Sequence, residues 1–162
     1  MSPSTARAAD TSRMDEKNEF RAEITGIRGQ RLRVGEALYR KRQRLNEPVL
    51  AERPGRPRRV AGYVLVTFGE ATADVEQMLR MEADRRGWHM TRVFVDPASA
   101  LPLDQRDHWQ AARDYVLRGF ADGLIVLHRR HISADDDEYV AELETVCGRR
   151  AFVTLVVPET EV

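Results

Sequence analysis

The sequence lacks several features that define whole classes of proteins. It contains one cysteine, Cys147, which excludes a disulfide framework and a structural zinc site built on cysteines. No apolar run approaches the roughly 18 residues that a membrane span requires, and the N-terminus has no apolar core of a secretory signal. Only 2 lysines accompany 24 arginines, a bias typical of high-GC bacterial genomes. We therefore expect a soluble, cytoplasmic protein of bacterial origin.

The net charge of zero conceals two parts of opposite sign. Residues 1–60 carry 15 basic and 8 acidic side chains, whereas residues 61–162 carry 11 basic and 18 acidic ones. Such an asymmetry predicts a basic arm attached to a globular domain. The Pro/Arg-rich segment 52–59 marks the predicted boundary, so that the arm covers residues 1–59 and the domain covers residues 60–162.

The arm is predicted to contain one marginal helix. Its first 13 residues are small and polar, and we expect them to be disordered. From Phe20 to Leu45, apolar side chains recur at intervals of three and four residues. Glycines within this stretch each cost about 1 kcal/mol relative to alanine, and Pro48 is expected to end the helix. The stripe Phe20–Leu45 would become ordered by docking on the domain, on a second copy of the chain as a homodimer, or on a partner protein.

Arginine is abundant in the arm, which favours contact with DNA. Between Arg28 and Arg59 there are 11 basic and 3 acidic residues, and such a segment binds nucleic acid by releasing phosphate counterions. The segment 55–59, Gly-Arg-Pro-Arg-Arg, resembles an AT-hook core, whose arginines enter a narrow A·T minor groove. The alternative is an inert, solvated linker. With two loop arginines of the domain, the predicted DNA-binding residues are Arg53, Arg56, Arg58, Arg59, Arg129 and Arg130.

The domain alternates short apolar runs with amphipathic segments. The runs predict strands near 60–67, 88–96, 123–127 and 151–157, and the amphipathic segments predict helices over 71–86, 104–120 and 135–146. This βαβαβαβ order implies an α/β fold with a mainly parallel, four-stranded sheet and helices on both faces.

In parallel α/β sheets, chemistry is located at the carboxyl ends of the strands. The first and third of these ends are predicted at 67–70 and 128–133. No glycine-rich phosphate loop occurs there, so a nucleotide cofactor is not expected. His128 and His131 could suggest a metal together with Asp135, but this spacing is common by chance in loops. We predict no metal site and no cofactor.

Several segments of the domain occur in a recognisable order. They are Gly62–Thr67, Arg86–Trp88, Val95–Asp96, Ser99, Arg106, Trp109, Asp122–Val126 and Ile132–Ser133. Over residues 58–157, this order and spacing resemble the catalytic domain of serine recombinases of the resolvase/invertase family. The resemblance implies a resolvase-like three-layer fold. It also implies, for active members, attack of a serine hydroxyl on a DNA phosphodiester, with arginines and no metal holding the phosphate.

The site that the resemblance implies is degenerate in this chain. The family's tyrosine-x-arginine-valine-serine segment is Tyr-Val-Leu-Val-Thr at 63–67, so that Leu65 replaces an arginine and Thr67 replaces the nucleophilic serine. The family's aspartate-arginine-leucine-serine-arginine segment is Arg-His-Ile-Ser-Ala at 130–134, without both arginines at their usual places. Arg106 matches an arginine on the second helix of the family.

Three functional hypotheses follow. The first is a degenerate recombinase-type domain, not competent for strand cleavage, that is a DNA-associated or self-associating accessory module. The second is active site-specific strand exchange, with Thr67 as nucleophile and Arg106 on the phosphate. The third is a protein-interaction adaptor with no DNA role. The first is preferred because loss of one electrostatic donor typically costs ~10²–10³ in rate, and because the Cβ methyl of threonine crowds an in-line attack.

Overall fold

Four parallel strands form the centre of the fold. The computed structural model describes residues 6–97 and 101–162. Its strands are β1 (Arg59–Leu65), β2 (His89–Asp96), β3 (Gly123–Val126) and β4 (Phe152–Leu155). They pair in the order β2-β1-β3-β4, and every pair is parallel. The predicted four-stranded parallel sheet is therefore confirmed.

Helices cover both faces of this sheet. The described residues form α1 (Ala6–Ala51), α2 (Thr72–Arg85), α3 (Asp107–Leu117) and α4 (Asp136–Cys147). Helix α2 packs on one face through Val75, Leu79 and Ala83. Helices α3 and α4 pack on the other face through apolar residues such as Trp109 and Leu143. This three-layer arrangement is the predicted one, and none of the described helices is long and apolar enough to cross a membrane.

Local signals place several helix ends correctly. Gly87 follows α2 with a φ of +69°, a left-handed conformation that glycine adopts without strain. Asp135 caps α4 by accepting a hydrogen bond from the Glu138 amide at 2.8 Å. The predicted helix 104–120 is wrong at its start, because α3 begins only at Asp107. There the Asp96 carboxylate, at the end of β2, accepts hydrogen bonds from the first free amides of the helix.

Helix α1 differs most from its prediction. It is one helix of 46 residues that begins at Ala6, so residues 6–13 are helical rather than disordered. Residues 1–5, and Ser99 of the resemblance, lie outside the described residues. Pro48 does not end α1, which continues to Ala51. A proline in the last turn removes only one helical hydrogen bond, and the residues after it pack against the core.

The second half of α1 belongs to the core of the domain. Leu38 is buried in the cluster that also contains α3 and α4, and Leu45 packs against that cluster. The side chain of Asn46 is buried beside β4, where it donates to the Val153 carbonyl at 2.7 Å and accepts from the Val153 amide at 3.1 Å. The predicted boundary at residue 59 therefore cuts through a single packed core.

Gly35 allows α1 to approach the C-terminal 3-10 turn closely. A Cβ atom at this position would lie 2.6 Å from the Glu159 carbonyl oxygen. We expect Gly35→Ala to lower the free energy of unfolding by about 1–2 kcal/mol, because the clash exceeds the gain in helix propensity. Chemical denaturation measures this change. Gly29→Ala is the matched control, since nothing lies within 4 Å of a Cβ atom added at that position. It should cause no loss of stability.

Candidate functional site

Polar side chains converge where β1 and β3 end. Thr67 and Glu70 lie in the loop after β1, and His128 and His131 lie in the loop after β3. Because β1 and β3 are paired in parallel, both loops leave the same edge of the sheet. This is the edge at which the sequence pattern predicts chemistry.

The carboxylate of Glu70 is the centre of this cluster. Its Oε2 accepts a hydrogen bond from the Thr67 hydroxyl at 2.6 Å and lies 2.9 Å from His131 Nε2. Its Oε1 lies 3.1 Å from His128 Nε2. The two imidazole rings meet edge to face, with centroids 4.5 Å apart. The sequence pattern indicated Thr67 and both histidines, but it did not single out Glu70. The signal for Glu70 is that a carboxylate follows Thr67 by three residues at the same strand end.

The charge states of this cluster follow from burial and hydrogen bonding. Burial raises the pKa of Glu70, but hydrogen bonds from Thr67, His131 and His128 outweigh it and lower the pKa to about 2. Burial lowers the pKa of His131, against the opposing effect of Glu70. At neutral pH the cluster therefore holds an ionised Glu70 beside a neutral His131. The Leu65 amide donates to His131 Nδ1 at 3.4 Å, which assigns the imidazole proton to Nε2.

Arg106 joins two loops of the site edge. Only 7% of the residue is exposed. Its Nε donates to the Leu101 carbonyl at 2.9 Å, and its Nη1 donates to the carbonyls of His131 and Ile132 at 3.1 and 2.8 Å. The guanidinium thus fixes the loop that carries His131. These contacts are structural, and the predicted phosphate-binding role of Arg106 stays a prediction.

Asp96, at the end of β2, makes structural contacts with β1 and α3. Its carboxylate accepts a hydrogen bond from the Tyr63 hydroxyl at 2.9 Å and caps α3 through the amides of His108 and Trp109. Burial raises the pKa of Asp96, but these hydrogen bonds reverse the effect, and the pKa lies below its ordinary value. Burial and the contact with Asp96 raise the pKa of Tyr63. Both residues belong to the segments of the sequence resemblance. In this structure Asp96 positions the start of α3, and Tyr63 joins β1 to the end of β2.

Two solved structures resemble this arrangement of strands and helices. The N-terminal catalytic domain of TP901-1 integrase matches with a TM-score of 0.55 and 18% identity, covering 60% of this chain and 76% of that chain. The C-terminal catalytic domain of ISC1926 TnpA, an IS607-like serine recombinase, matches with a TM-score of 0.52 and 20% identity, covering 62% of this chain and 71% of that chain.

The chain has the fold of a serine recombinase catalytic domain. No protein-family model matches the sequence, and no curated protein matches it either. The fold expected from the order of segments is therefore confirmed.

The AT-hook-like segment is held against the rest of the protein by its arginines. Arg56 forms a two-pronged pair with the Asp122 carboxylate at 2.8 and 3.0 Å, and the Arg59 amide donates to the same carboxylate at 2.7 Å. Arg58 donates to the Leu50 carbonyl at 3.1 Å. A minor-groove hook needs free arginines, whereas these arginines connect the segment to α1 and to the loop before β3.

The pair of Arg56 and Asp122 gives a pH-dependent prediction. The hydrogen bond from Arg56 is the first cause that lowers the pKa of Asp122 to about 2, from an ordinary value of 3.8. A lowered carboxyl pKa contributes stability above the unfolded pKa, and that stability is lost as pH falls through the folded pKa. We therefore expect Asp122→Asn to be less stable at neutral pH, and to lose less stability between about pH 4 and pH 2. Denaturant titrations at several pH values measure both effects.

The other predicted DNA-binding arginines differ in accessibility. Arg53 and Arg130 are exposed. Arg129 is half-buried, and its Nη1 pairs with the Asp136 carboxylate at 2.6 Å. Further exposed arginines lie along α1 and were not among the predicted site residues: Arg21, Arg28, Arg31, Arg33, Arg40 and Arg44. The exposed basic surface therefore includes much of α1.

The apolar stripe Phe20–Leu45 has two different environments. Its C-terminal part packs into the core, as Leu38 and Leu45 show. Its N-terminal part is exposed, with Phe20 63% and Ile27 47% accessible to solvent. Docking of the stripe on the domain thus accounts for its second half only.

Proposed function

We propose that this chain is a degenerate recombinase-type domain that does not cleave DNA and acts as a DNA-associated or self-associating accessory module. The observation that carries the proposal is the Glu70 carboxylate, 2.6 Å from the Thr67 hydroxyl. Strand cleavage would bring an anionic phosphodiester to that hydroxyl. Two unit charges about 4 Å apart repel by roughly 1 kcal/mol in water and 4 kcal/mol near a protein surface. Glu70 therefore opposes the approach of the substrate.

Two arginines near this edge are engaged elsewhere. Arg106 donates to backbone carbonyls, and Arg129 pairs with Asp136. In these contacts neither guanidinium is directed at a phosphate beside Thr67, where it would stabilise the charge that develops in the transition state. The substitutions at Leu65 and Thr67 point in the same direction. Together these features support an accessory role over strand exchange.

The contact between Thr67 and Glu70 also defines the competing function. In an active enzyme, Glu70 would accept the proton of Thr67 as the hydroxyl attacked. Incubation of the full chain with a pool of random-sequence duplexes, followed by denaturing electrophoresis, separates the two functions. We expect no covalent protein–DNA adduct. An adduct that forms with the wild type and disappears in Thr67→Ala and Glu70→Gln would establish strand exchange instead.

DNA association is proposed to use the basic surface of α1 with Arg53 and Arg130. A cleft of about 350 Å³ between α1 and the turn after β3 is lined by Arg31, Arg129 and Arg130. Binding through such a surface is independent of sequence and weakens steeply with salt. Anisotropy titrations at two salt concentrations test this, with Arg31→Gln as the variant. Salt-insensitive binding, or no binding, would contradict the proposed association with DNA.

Self-association is proposed for the exposed half of the stripe. Phe20, Ile24, Ile27 and Val34 are spaced by four, three and seven residues, as in the seam of a coiled coil in which Arg31 occupies one position. The residues beside this seam are of opposite charge, Glu16 and Glu23 on one side and Arg21 and Arg28 on the other. In a parallel pair, Glu16 of one copy faces Arg21 of the second copy, and Glu23 faces Arg28. This complementarity favours a second copy of the chain as the occupant.

A charge-swap experiment tests this pairing. We expect the variant Arg21→Glu/Arg28→Glu to be monomeric by sedimentation, because it places like charges across the seam. Mixing it with the variant Glu16→Arg/Glu23→Arg should restore the dimer. A wild type that sediments as a monomer at every concentration would contradict self-association. The third hypothesis, a protein adaptor, would then apply to the exposed stripe.

A further inference from the structure

The cluster at the strand ends has the composition of a metal site. Glu70, His128 and His131 each offer one ligand atom, and these three atoms all lie within 4.8 Å of one another. The separations of carboxylate oxygen and imidazole nitrogen are 2.9 and 3.1 Å. Neighbouring ligands of a tetrahedral zinc ion, bound at 2.0–2.1 Å, lie roughly 3.3 Å apart. Small shifts of the side chains would therefore admit an ion between them.

The three ligand side chains differ in how deeply they are buried. The side chain of His131 is fully buried, that of His128 is 15% exposed and that of Glu70 is 32% exposed. The cluster is thus fixed at its base and open to solvent on the side of Glu70. Such an arrangement leaves coordination positions for water or another ligand, as in zinc sites with three protein ligands.

We propose that Glu70, His128 and His131 bind a divalent transition-metal cation of the zinc type at the carboxyl ends of β1 and β3. Two imidazoles and one carboxylate are a donor set suited to such ions and not to magnesium or calcium, which prefer oxygen ligands. This inference goes beyond the proposed accessory function and stands whether or not the domain binds DNA. It differs from the expectation, based on His128, His131 and Asp135, that the chain has no metal site: Asp135 caps α4, and Glu70 is the carboxylate that lies beside the two histidines.

Binding requires the neutral His131 imidazole to change tautomer. His131 Nδ1 accepts from the Leu65 amide, so Nε2 carries the proton that faces Glu70. For a cation to bind at Nε2, this proton must move to Nδ1, which then no longer accepts from the Leu65 amide, so the 3.4 Å contact is lost. His128 Nδ1 is buried without a hydrogen-bond partner among the described residues, so its ring can turn toward an ion without breaking a second bond.

The bound ion would reverse the charge of the site. When both imidazoles bind the ion in their neutral form, the divalent cation and the ionised Glu70 together carry one positive charge. A phosphate would then be attracted to the side of Thr67 instead of being repelled. The proposed exclusion of a phosphate by Glu70 therefore applies to the metal-free site.

Equilibrium dialysis of the tag-free full chain against Zn²⁺ tests the proposal, and Co²⁺ provides a visible absorption signature of the ligand geometry. We expect one saturable equivalent per chain. Glu70→Gln and His128→Asn should each weaken binding by at least ~10-fold, since even substitution of a residue that only hydrogen-bonds to a metal ligand typically costs 10–100-fold. His89→Asn is the matched control, because His89 is exposed on β2, and it should leave the affinity unchanged.

Circular dichroism of each variant shows whether it is folded, so that lost binding is attributable to the lost ligand. His131 is not substituted, because it is fully buried and fixes the loop after β3. Zn²⁺ should also raise the melting temperature of the wild type and not that of folded Glu70→Gln. Absence of saturable binding by the wild type would overturn the proposal. Binding that persists unchanged in both variants would overturn it as well.

Discussion

Replacing Arg42 with alanine is expected to lower the free energy of unfolding by about 3–5 kcal/mol, because it leaves a buried carboxylate without its partner. Arg42 bonds Glu159 through Nε at 2.7 Å and through Nη2 at 3.0 Å, and the two side chains are 5% and 0% exposed. Tyr139 donates to the same carboxylate at 2.7 Å. Burial raises the pKa of Glu159, but Arg42 and Tyr139 reverse this and hold it below its ordinary value.

Chemical denaturation of the variant measures this effect. Arg40→Ala is the matched control on the same helix, because Arg40 lies 3.8 Å from Glu36 with 75% of its side chain exposed, and exposed pairs contribute about 0–1 kcal/mol. A second variant, Arg42→Met with Glu159→Leu, removes both charges and should recover part of the loss. A cost for Arg42→Ala no greater than that of Arg40→Ala would contradict the role of this pair in joining α1 to the C-terminal turn.

Deletion of residues 1–51 is expected to abolish cooperative folding of the remainder. These residues include Leu38, Leu45 and Asn46, which contact the sheet and α4. Without them, one side of the core becomes exposed and β4 loses the hydrogen bonds from Asn46. Thermal unfolding followed by circular dichroism should then show no sharp transition.

A shorter deletion provides the control. Residues 13–28 are all exposed, so a chain without residues 1–28 should keep its cooperative transition with little change in stability. If the chain without residues 1–51 unfolds as cooperatively as the full chain, the helix is a separate arm and the sequence-based boundary at residue 59 is restored.

The strands and several helix ends could be predicted because their causes are local. The apolar run after Arg59 is sufficient to indicate a buried strand, and Gly87 and Asp135 terminate or cap helices within a few residues of themselves. Helix α1 could not be predicted in the same way. Its buried polar residue Arg42 bonds to Glu159, 117 positions later in the sequence, so nothing near Arg42 in the sequence distinguishes it from the exposed arginines of the same helix.

The candidate site was predictable in part for the same reason. The resemblance placed Thr67 and the loop after β3 at one edge of the sheet, which the parallel pairing of β1 and β3 confirms. The role of Glu70 depends on contacts with His128 and His131, which lie 58 and 61 positions away. No spacing rule in the sequence joins a single glutamate to two distant histidines. The side chains therefore had to be placed by the fold before their cluster was visible.

The central feature of the proposed function is that the ionised Glu70 excludes a phosphodiester from Thr67. Titration of the full chain with a thymidine dinucleotide, followed by amide NMR in the presence of a metal chelator, tests this directly. In the wild type we expect the signals of Thr67 and His131 to stay unchanged. In Glu70→Gln, which removes the charge and keeps the shape, they should shift to saturation. Saturable shifts in the wild type, at an affinity equal to that of Glu70→Gln, would contradict the account.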